Sequence, residues 1–444
     1  MALHSDVLYG SVLSQNRPPV IDSPAVSISG SCNGTPAHFE LDRSILSKHM
    51  LLLGGTGCGK TNTFFHIVDQ LKRGMTDNDT MIIFDTKGDY IKKFYDPYYD
   101  SVISAVDMIG YTVSNWNLFK EILIDGFENK EACESAIAEI SWSLFSSSIK
   151  NNNSNPFFPN AARDLFASIL TWAVRTAGGD PALIDKYLDN EYLKSLLDTL
   201  SAKGLREMLS KYRDQQAALT YIGDGENPQG LGVFAELQSV LRNVLVGSFA
   251  KRGDFSIREF IRNRGGRALF IEYDLDRGST LTPIYKLLID LALKETMGSH
   301  EKSRVSAGTC GNVYIFCDEF KLLPDLVHIE DAVNFGRSMG VKVFAGLQSI
   351  EQLTENYGES RGKNIAAGFS TVLSFRANDE VSRSFTVGLH GKNYYIEHET
   401  YMSGEKKVGN TVEDWDIIGL DVGEAIVGIC GEKPYRFKFD LYGG

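Results

Sequence analysis

Residues 54–61 read Gly-Gly-Thr-Gly-Cys-Gly-Lys-Thr and directly follow the apolar run Met50–Leu53. This is the complete pattern of a P-loop, in which a glycine-rich turn lets backbone N–H groups curl around a polyphosphate. An amphipathic run over residues 62–71 comes next, so the phosphates are expected at a helix N-terminus. A strand, this loop and a helix, in that order, predict an α/β protein that binds a nucleotide.

The residues of the loop have separate expected roles. Lys60 is expected to reach the β- and γ-phosphates, and the hydroxyl of Thr61 to ligate Mg²⁺. The predicted nucleotide-binding residues are Gly54, Gly55, Thr56, Gly57, Cys58, Gly59, Lys60, Thr61 and Asn62. Cys58 lies close to the expected helix N-terminus, which favours a thiolate. We therefore expect alkylation of Cys58 to block nucleotide binding.

A second apolar run, Val313–Cys317, ends in Asp318-Glu319. An isolated pair of this kind is usually an acidic strand end on the surface. With a P-loop in the same chain, the pair indicates a strand that delivers an Asp to organise Mg²⁺ and a Glu to polarise water. We assign Asp318 to the metal and Glu319 to catalysis, and we expect the strands before residues 54 and 318 to be neighbours. The two halves predict an ATPase that uses ATP and Mg²⁺.

Besides Glu319 and Lys60, which we also expect to take part in catalysis, two more residues are candidates for catalysis. Gln348 follows the apolar run Val341–Leu347, where its amide could touch both the γ-phosphate and the attacking water; a polar turn with Ser349 is the alternative. Arg337 lies in the turn before that run. An Arg near a helix end is usually a solvated cap, and the alternative is an arginine finger that enters the site of a neighbouring subunit.

Composition limits where the chain works and what it binds. The apolar stretch at residues 165–174 is too short to cross a bilayer, and the N-terminus lacks the basic and apolar regions of a signal peptide. The six cysteines have no Cys-x-x-Cys spacing. We expect a cytoplasmic protein with reduced thiols and no transmembrane segment. The net charge of −12 argues against a generally basic, nucleic-acid-binding surface, but a local basic channel would suffice.

Hydrophobic periodicity divides the chain into four parts. We expect a β-rich N-terminal segment at 1–45 with a hairpin at Asn33-Gly34, and a first nucleotide-binding part at 46–127. A helical insertion is expected at 128–250, and a second nucleotide-binding part, ending in a hairpin, at 251–444. Core strands are predicted at 50–53, 80–84, 102–106, 268–273, 313–317, 341–347 and 371–375. The fold class is therefore α/β, a RecA-like P-loop NTPase core with a mainly parallel sheet of roughly eight strands and an inserted all-α domain.

The order of the motifs resembles the TraD/TraG coupling-protein ATPases of type IV secretion and conjugation, which are FtsK/HerA-type hexameric motors. The motifs are the P-loop, Asp85-x-Lys87-Gly88-Asp89, Asp318-Glu319-Phe320, Arg337-Ser338-x-Gly340-Val341, Leu347-Gln348-Ser349 and Ala377-Asn378-Asp379. The resemblance covers roughly residues 45–444. It implies that Arg337 acts from the neighbouring subunit of a homo-oligomer, expected to be a hexamer, and that Gln348 senses the γ-phosphate. Coupling proteins usually begin with transmembrane helices, so this chain is expected to be a soluble form.

The resemblance implies a ring-forming ATPase that translocates DNA through its channel, with a secretion-channel or relaxase-like protein as a candidate partner. Two alternatives stay open, namely a coupling-type ATPase that delivers protein substrates and a nucleotide-switched assembly subunit of an anti-phage system. DNA is the expected partner in the first case. Basic residues cluster at Lys251, Arg252, Arg258, Arg262, Arg264 and Arg267. They are either a solvated helix face or a strip that follows the phosphate backbone of a nucleic acid.

Overall fold

The computed structural model describes residues 4–16, 18–152, 154–398 and 405–443. Its strands are β1 (His4–Tyr9), β2 (Val26–Cys32), β3 (Thr35–Leu41), β4 (Met50–Leu53), β5 (Thr80–Asp85), β6 (Ser101–Ile103), β7 (Arg267–Glu272), β8 (Val313–Cys317), β9 (Val341–Leu347), β10 (Thr371–Phe375), β11 (Lys392–His398), β12 (Glu405–Asn410), β13 (Glu424–Ile429) and β14 (Tyr435–Phe439). All the core strands predicted from the apolar runs are present, within two or three residues at their ends.

The α-helices alternate with these strands or follow one another between β6 and β7. They are α1 (Arg43–Leu46), α2 (Lys60–Arg73), α3 (Asp89–Phe94), α4 (Leu118–Ile122), α5 (Lys130–Asn151), α6 (Phe157–Ala177), α7 (Pro181–Tyr187), α8 (Asn190–Thr199), α9 (Ala202–Leu209), α10 (Gln216–Ile222), α11 (Pro228–Val244), α12 (Ile257–Asn263), α13 (Gly278–Met297), α14 (Ser299–Ser306), α15 (Ile329–Phe335), α16 (Glu351–Tyr357), α17 (Glu359–Gly368), α18 (Glu380–His390) and α19 (Asp414–Ile418). In the described part of the chain, no helix combines the length and the apolar character that crossing a membrane requires.

Eleven of the described strands form one sheet, in the order β3-β2-β14-β13-β10-β4-β9-β8-β5-β7-β6. Neighbours from β10 to β6 are parallel, and those from β10 back to β3 are antiparallel. Alternate residues of β4 enter two different apolar cores, Leu51 and Leu53 on one face and Met50 and Leu52 on the other. A sheet covered on both faces needs apolar residues at every position, which explains the continuous apolar runs in the sequence.

One expectation about the sheet is wrong. The P-loop strand β4 and the Asp-Glu strand β8 are not neighbours, because β9 lies between them and pairs in parallel with both. The sheet is also wider than the predicted eight or so strands, since the hairpin β2–β3 extends it through β14. The carboxyl ends of β4, β9 and β8 consequently lie side by side, with the end of β9 in the centre.

The expected helical insertion contains helices α5 to α11. Polar side chains cap the first turns of α5, α7, α8, α9 and α11, each accepting a hydrogen bond from a backbone N–H. The capping residues include Asn129, Asp180, Asp189, Ser201 and Asn227. The apolar faces of these helices share one core with α13 and one face of the sheet. The N-terminal segment contributes to two sheets, since β1 pairs with β11 and not with the hairpin. The four-part division of the chain stays a prediction.

Candidate active site

The loop between β4 and α2 is tied to both neighbouring strands. The backbone N–H of Gly54 donates to the carbonyl oxygen of Leu347 at 3.1 Å, and that of Gly55 donates to Arg376 at 2.9 Å. Gly59 has a φ of 116°, and a Cβ there would lie 2.9 Å from the Cα of Gly423. Only glycine accepts both constraints. The loop is therefore a preformed turn at the helix N-terminus, as the motif predicts.

Lys60 lies under this loop and is 7% exposed. Its Nζ donates to the carbonyl oxygens of Gly54 at 2.5 Å and Gly55 at 3.1 Å. Both acceptors are neutral and carry no charge to balance the ammonium group, whereas phosphate oxygens add a direct Coulomb attraction. A polyphosphate in the loop would thus be a better partner for the ammonium group than the carbonyls that hold it.

Thr61 and Asp318 meet as their assignment requires. Thr61 Oγ1 donates to Asp318 Oδ2 at 2.6 Å, across 257 residues of sequence. Asp318 is almost buried, and this burial raises the pKa of its carboxyl, against the lowering effect of Thr61, Lys60 and Tyr90. The hydroxyl of Tyr90 is a second donor to Oδ2, at 3.1 Å. Sequence reasoning missed Tyr90, although it directly follows the motif Asp85-x-Lys87-Gly88-Asp89.

A chain of hydrogen bonds runs from Thr56 of the loop through Gln348 to Glu319. Gln348 Nε2 donates to both carboxylate oxygens of Glu319, at 3.3 and 3.2 Å. Thr56 Oγ1 donates to Gln348 Oε1 at 3.2 Å. Because β9 separates β4 from β8, Gln348, the residue after β9, lies between the P-loop and the carboxylate. A change in the loop can therefore reach Glu319 through one side chain.

Two of the predicted loop residues are placed differently from expectation. Cys58 is 5% exposed, and burial raises the pKa of its thiol in spite of the nearby Lys60. The expectation of a thiolate is wrong, because desolvation outweighs the helix N-terminus. The side chain of Asn62 binds the end of the chain, where it donates to the carbonyl of Asp440 at 2.9 Å and accepts from the N–H of Tyr442 at 2.8 Å.

The site has the ligands that Mg²⁺ normally takes from a protein. Mg²⁺ is usually held by one or two side-chain oxygens together with substrate phosphates and water. Thr61 and Asp318 supply such oxygens beside the loop. Among the described residues, no group of three or more His, Cys, Asp or Glu side chains could hold a metal ion by itself. The donor set fits a cation that shares its coordination with a nucleotide.

Arg337 is not part of this cluster. It lies in a 3₁₀ turn, Gly336–Met339, before the amino end of β9, while Gln348 follows the carboxyl end. The seven residues of β9 place the two ends roughly 20 Å apart. The Arg337 side chain is exposed and forms neither a hydrogen bond nor an ion pair with any residue in the described ranges. It cannot reach the site of its own chain.

The basic segment 251–267 does not form a free positive strip. Lys251 pairs with Asp107 at 2.8 Å, and Arg252 pairs with Asp185. Arg258 and Arg262 form ion pairs with Asp125 and Glu295, and Arg264 forms one with Glu301. The guanidinium group of Arg267 packs over the ring of Phe260. Intramolecular carboxylates already neutralise most of these charges, which favours a role within the fold over a strip that faces nucleic acid; the strip stays a prediction for the exposed Lys251 and Arg252.

Comparison with known proteins gives consistent matches. Residues 37–413 match the family model of the type IV secretion-system coupling protein DNA-binding domain. Coupling protein TraD of Escherichia coli (strain K12) is 25% identical over 379 residues, which cover 82% of this chain and 47% of TraD. Protein VirD4 of Rhizobium radiobacter is 21% identical over 301 residues, covering 63% of this chain and 41% of VirD4. The chain spans about half the length of the curated relatives it matches.

Solved structures share the fold over nearly the whole chain. Plasmid coupling protein TrwB in complex with ADP and Mg²⁺ has a TM-score of 0.73 at 20% identity, covering 100% of this chain and 96% of that one. TrwB with the non-hydrolysable ATP analogue ADPNP has a TM-score of 0.71 at 20% identity, with 98% and 95% covered. VirB4 of Thermoanaerobacter pseudethanolicus has a TM-score of 0.59 at 12% identity, with 96% and 99% covered. The predicted fold class, an α/β P-loop NTPase core with a mainly parallel sheet, is confirmed.

Proposed function

This chain belongs to the type IV secretion-system coupling protein family, and on that premise we propose that it is an ATPase that moves DNA through a ring of identical subunits. One observation carries the proposal. Lys60, Thr61, Asp318, Glu319 and Gln348 come from distant parts of the sequence and meet at the carboxyl edge of β4, β9 and β8. The proposed place of work is the cytoplasm, where ATP and Mg²⁺ are available.

The chain's own residues supply the groups for binding a nucleoside triphosphate. The P-loop N–H groups at the start of α2 surround the phosphates, and Lys60 exchanges its carbonyl acceptors for phosphate oxygens. Thr61 and Asp318 are proposed to hold Mg²⁺, which when bound neutralises the negative charge that develops on the phosphates. The TrwB structures with ADP and Mg²⁺ and with ADPNP support this assignment, since they share the fold.

Glu319 and Gln348 are proposed to control the attack of water. Glu319 is half-buried and can take the proton of a water molecule that approaches the γ-phosphate. Gln348 is bonded to Glu319 and to Thr56 of the loop, so the presence of a γ-phosphate and the position of Glu319 are linked. This supports the role of a γ-phosphate sensor for Gln348.

Arg337 is proposed to act on the site of the neighbouring subunit. It is exposed, has no acidic partner in the described ranges, and is separated from its own P-loop by the length of β9. An arginine that enters a foreign site offsets charge in the transition state. A closed ring, expected to be a hexamer, would give every site such a neighbour. A secretion-channel or relaxase-like protein remains a candidate partner of the ring. Residues 128–250 remain the proposed helical domain.

The test is ATP turnover with and without single- and double-stranded DNA, with the molecular mass measured on the same sample. We expect turnover that DNA stimulates, in the oligomeric fraction. Lys60→Ala should lose nucleotide binding, and Glu319→Gln should bind ATP without hydrolysing it. Stimulation by a protein partner alone would favour protein delivery, and slow turnover with nucleotide-dependent assembly would favour an assembly switch. Wild-type turnover in Glu319→Gln would contradict the assigned catalytic base.

A further inference from the structure

Tyr90, in the first turn of α3, contacts the proposed metal ligand Asp318. Its hydroxyl donates to Asp318 Oδ2 at 3.1 Å, the same oxygen that accepts from Thr61 at 2.6 Å. Tyr90 is 3% exposed and Asp318 9%, so water has little access to this contact. Two hydroxyl donors on one carboxylate oxygen restrict how the carboxylate can rotate.

The position of the Tyr90 hydroxyl is set by the backbone and by packing. Asp85, at the end of β5, accepts from the backbone N–H of Tyr90 at 3.0 Å and from that of Ile91 at 2.9 Å. These two bonds fix the first turn of α3 against the sheet. The Tyr90 ring also packs edge-on against Phe65 of α2, with centroids 5.0 Å apart. A fixed helix turn and a packed ring leave the hydroxyl little freedom to move.

The other side of Asp318 is closed by β9. A Cβ built on Gly346 would lie 2.2 Å from the backbone oxygen of Asp318 and 3.0 Å from its Oδ1. The strand therefore approaches Asp318 as closely as a glycine permits. Asp318 is confined between β9 on one side and the hydroxyl of Tyr90 on the other, with Thr61 beside it.

We propose that Tyr90 is a positioning residue, which holds the Asp318 carboxylate against Thr61 in the orientation that a shared divalent cation requires. The inference rests on the proposed function, because it assumes a metal–nucleotide complex at this P-loop. Residues that hydrogen-bond to metal ligands fix ligand orientation and raise metal affinity. The opposing possibility is a core tyrosine whose buried hydroxyl merely needs an acceptor. The two differ in what Tyr90→Phe does to metal binding.

The experiment measures Mn²⁺ binding to the protein–ADP complex by the EPR signal of free Mn²⁺, and ADP binding without metal by equilibrium dialysis. Tyr90→Phe keeps the ring and its contacts with Phe65. We expect Mn²⁺ affinity to fall about tenfold, with metal-free ADP affinity and the unfolding midpoint close to wild type. The matched control is Tyr221→Phe, which removes a hydroxyl that donates to Asp164 Oδ2 at the same 3.1 Å in the helical region. This control should leave Mn²⁺ affinity unchanged.

A double-mutant cycle tests whether Tyr90 acts through Asp318. In an Asp318→Asn background, Tyr90→Phe should have little further effect on Mn²⁺ affinity, because the carboxylate that it orients is gone. An unchanged Mn²⁺ affinity in Tyr90→Phe would overturn the inference and leave the proposed function intact. A loss of equal size in both backgrounds would overturn the positioning role. If the wild-type protein bound neither ADP nor Mn²⁺, the proposed function would fail, and the inference with it.

Discussion

Arg337 and the cations of segment 251–267 differ in whether they have a partner within the described chain. Arg337 is exposed at the amino end of β9 and has no ion pair with any described residue. Arg264, by contrast, is 1% exposed and lies 2.7 Å from Glu301, and Arg258 and Arg262 share Glu295 and Asp125. A paired and buried arginine stabilises the fold, since removing it leaves a buried carboxylate without a counter-charge. An unpaired, exposed arginine is available to a charge on another molecule.

The difference predicts that Arg337→Ala impairs catalysis and leaves stability unchanged. Turnover should fall by about 10³–10⁵, the range seen for arginine fingers in other NTPases. ATP affinity and the unfolding midpoint should stay close to wild-type values, because no hydrogen bond or ion pair with a described residue is lost. The measurements are steady-state ATPase assays, equilibrium ATP binding and thermal unfolding. An active Arg337→Ala would mean that exposure and lack of a partner do not mark a finger here.

Arg264→Met should have the reverse effect. Met keeps much of the side-chain volume but leaves the buried Glu301 carboxylate without its cation. Breaking a buried pair from one side costs about 3–5 kcal/mol, and we expect a loss of this size in the free energy of unfolding by urea. ATP affinity of the folded fraction should be retained. A variant as stable as wild type would show that this ion pair does not hold the fold.

Arg262→Ala should destabilise the protein less than Arg264→Met. Glu295 keeps its ion pair with Arg258, at 2.8 Å, so no buried carboxylate is left without a cation. Losing the charged hydrogen bonds of Arg262 is expected to cost about 1.5–3 kcal/mol of unfolding free energy. The double variant Arg258→Ala/Arg262→Ala leaves Glu295 unpaired and should lose more than the sum of the single changes. Simple additivity would indicate that the two arginines do not share this acceptor.

Arg252→Ala should have the smallest effect. Its nearer partner Asp185 is exposed and the second, Asp189, is 3.9 Å away; such surface pairs contribute little, so the unfolding midpoint should not shift measurably. Each phosphate contact adds about 0.7–0.9 to the slope of log affinity against log salt concentration. We therefore expect the slope for DNA binding to be unchanged in Arg252→Ala. A lower slope would support the interpretation of this part of the segment as a strip that contacts nucleic acid.

Local sequence patterns predict most of the fold and the core of the site. The P-loop and the Asp318-Glu319 pair are short motifs with fixed geometry, and each follows a fully buried strand that the apolar runs reveal. The contact between Thr61 and Asp318 follows from these two motifs. The position of Gln348 at the end of a buried strand was also predictable, from the run Val341–Leu347.

Features that depend on distant pairing could not be predicted in this way. The strand order could not be predicted, because the apolar runs of β8 and β9 do not show which of these strands pairs with β4. The role of Tyr90 could not be predicted, because its acceptor is 228 residues away and no sequence motif includes Tyr90. The basic segment looked like a surface because Glu295 and Asp125 reach it only in the folded chain. Burial of Cys58 depends on the same tertiary packing, which a local helix-terminus rule does not contain.

The central claim is that each active site is built from two subunits, and mixing two inactive variants tests it most directly. A Lys60→Ala subunit has no functional P-loop but presents Arg337, while an Arg337→Ala subunit has an intact loop and no finger. The account predicts that each variant alone is nearly inactive and that the mixture regains part of the ATPase activity, wherever an intact loop faces an intact Arg337. Mass measurement must show that mixed oligomers form. A mixture that stays inactive although mixed oligomers form, or full turnover by an isolated monomer, would contradict the claim.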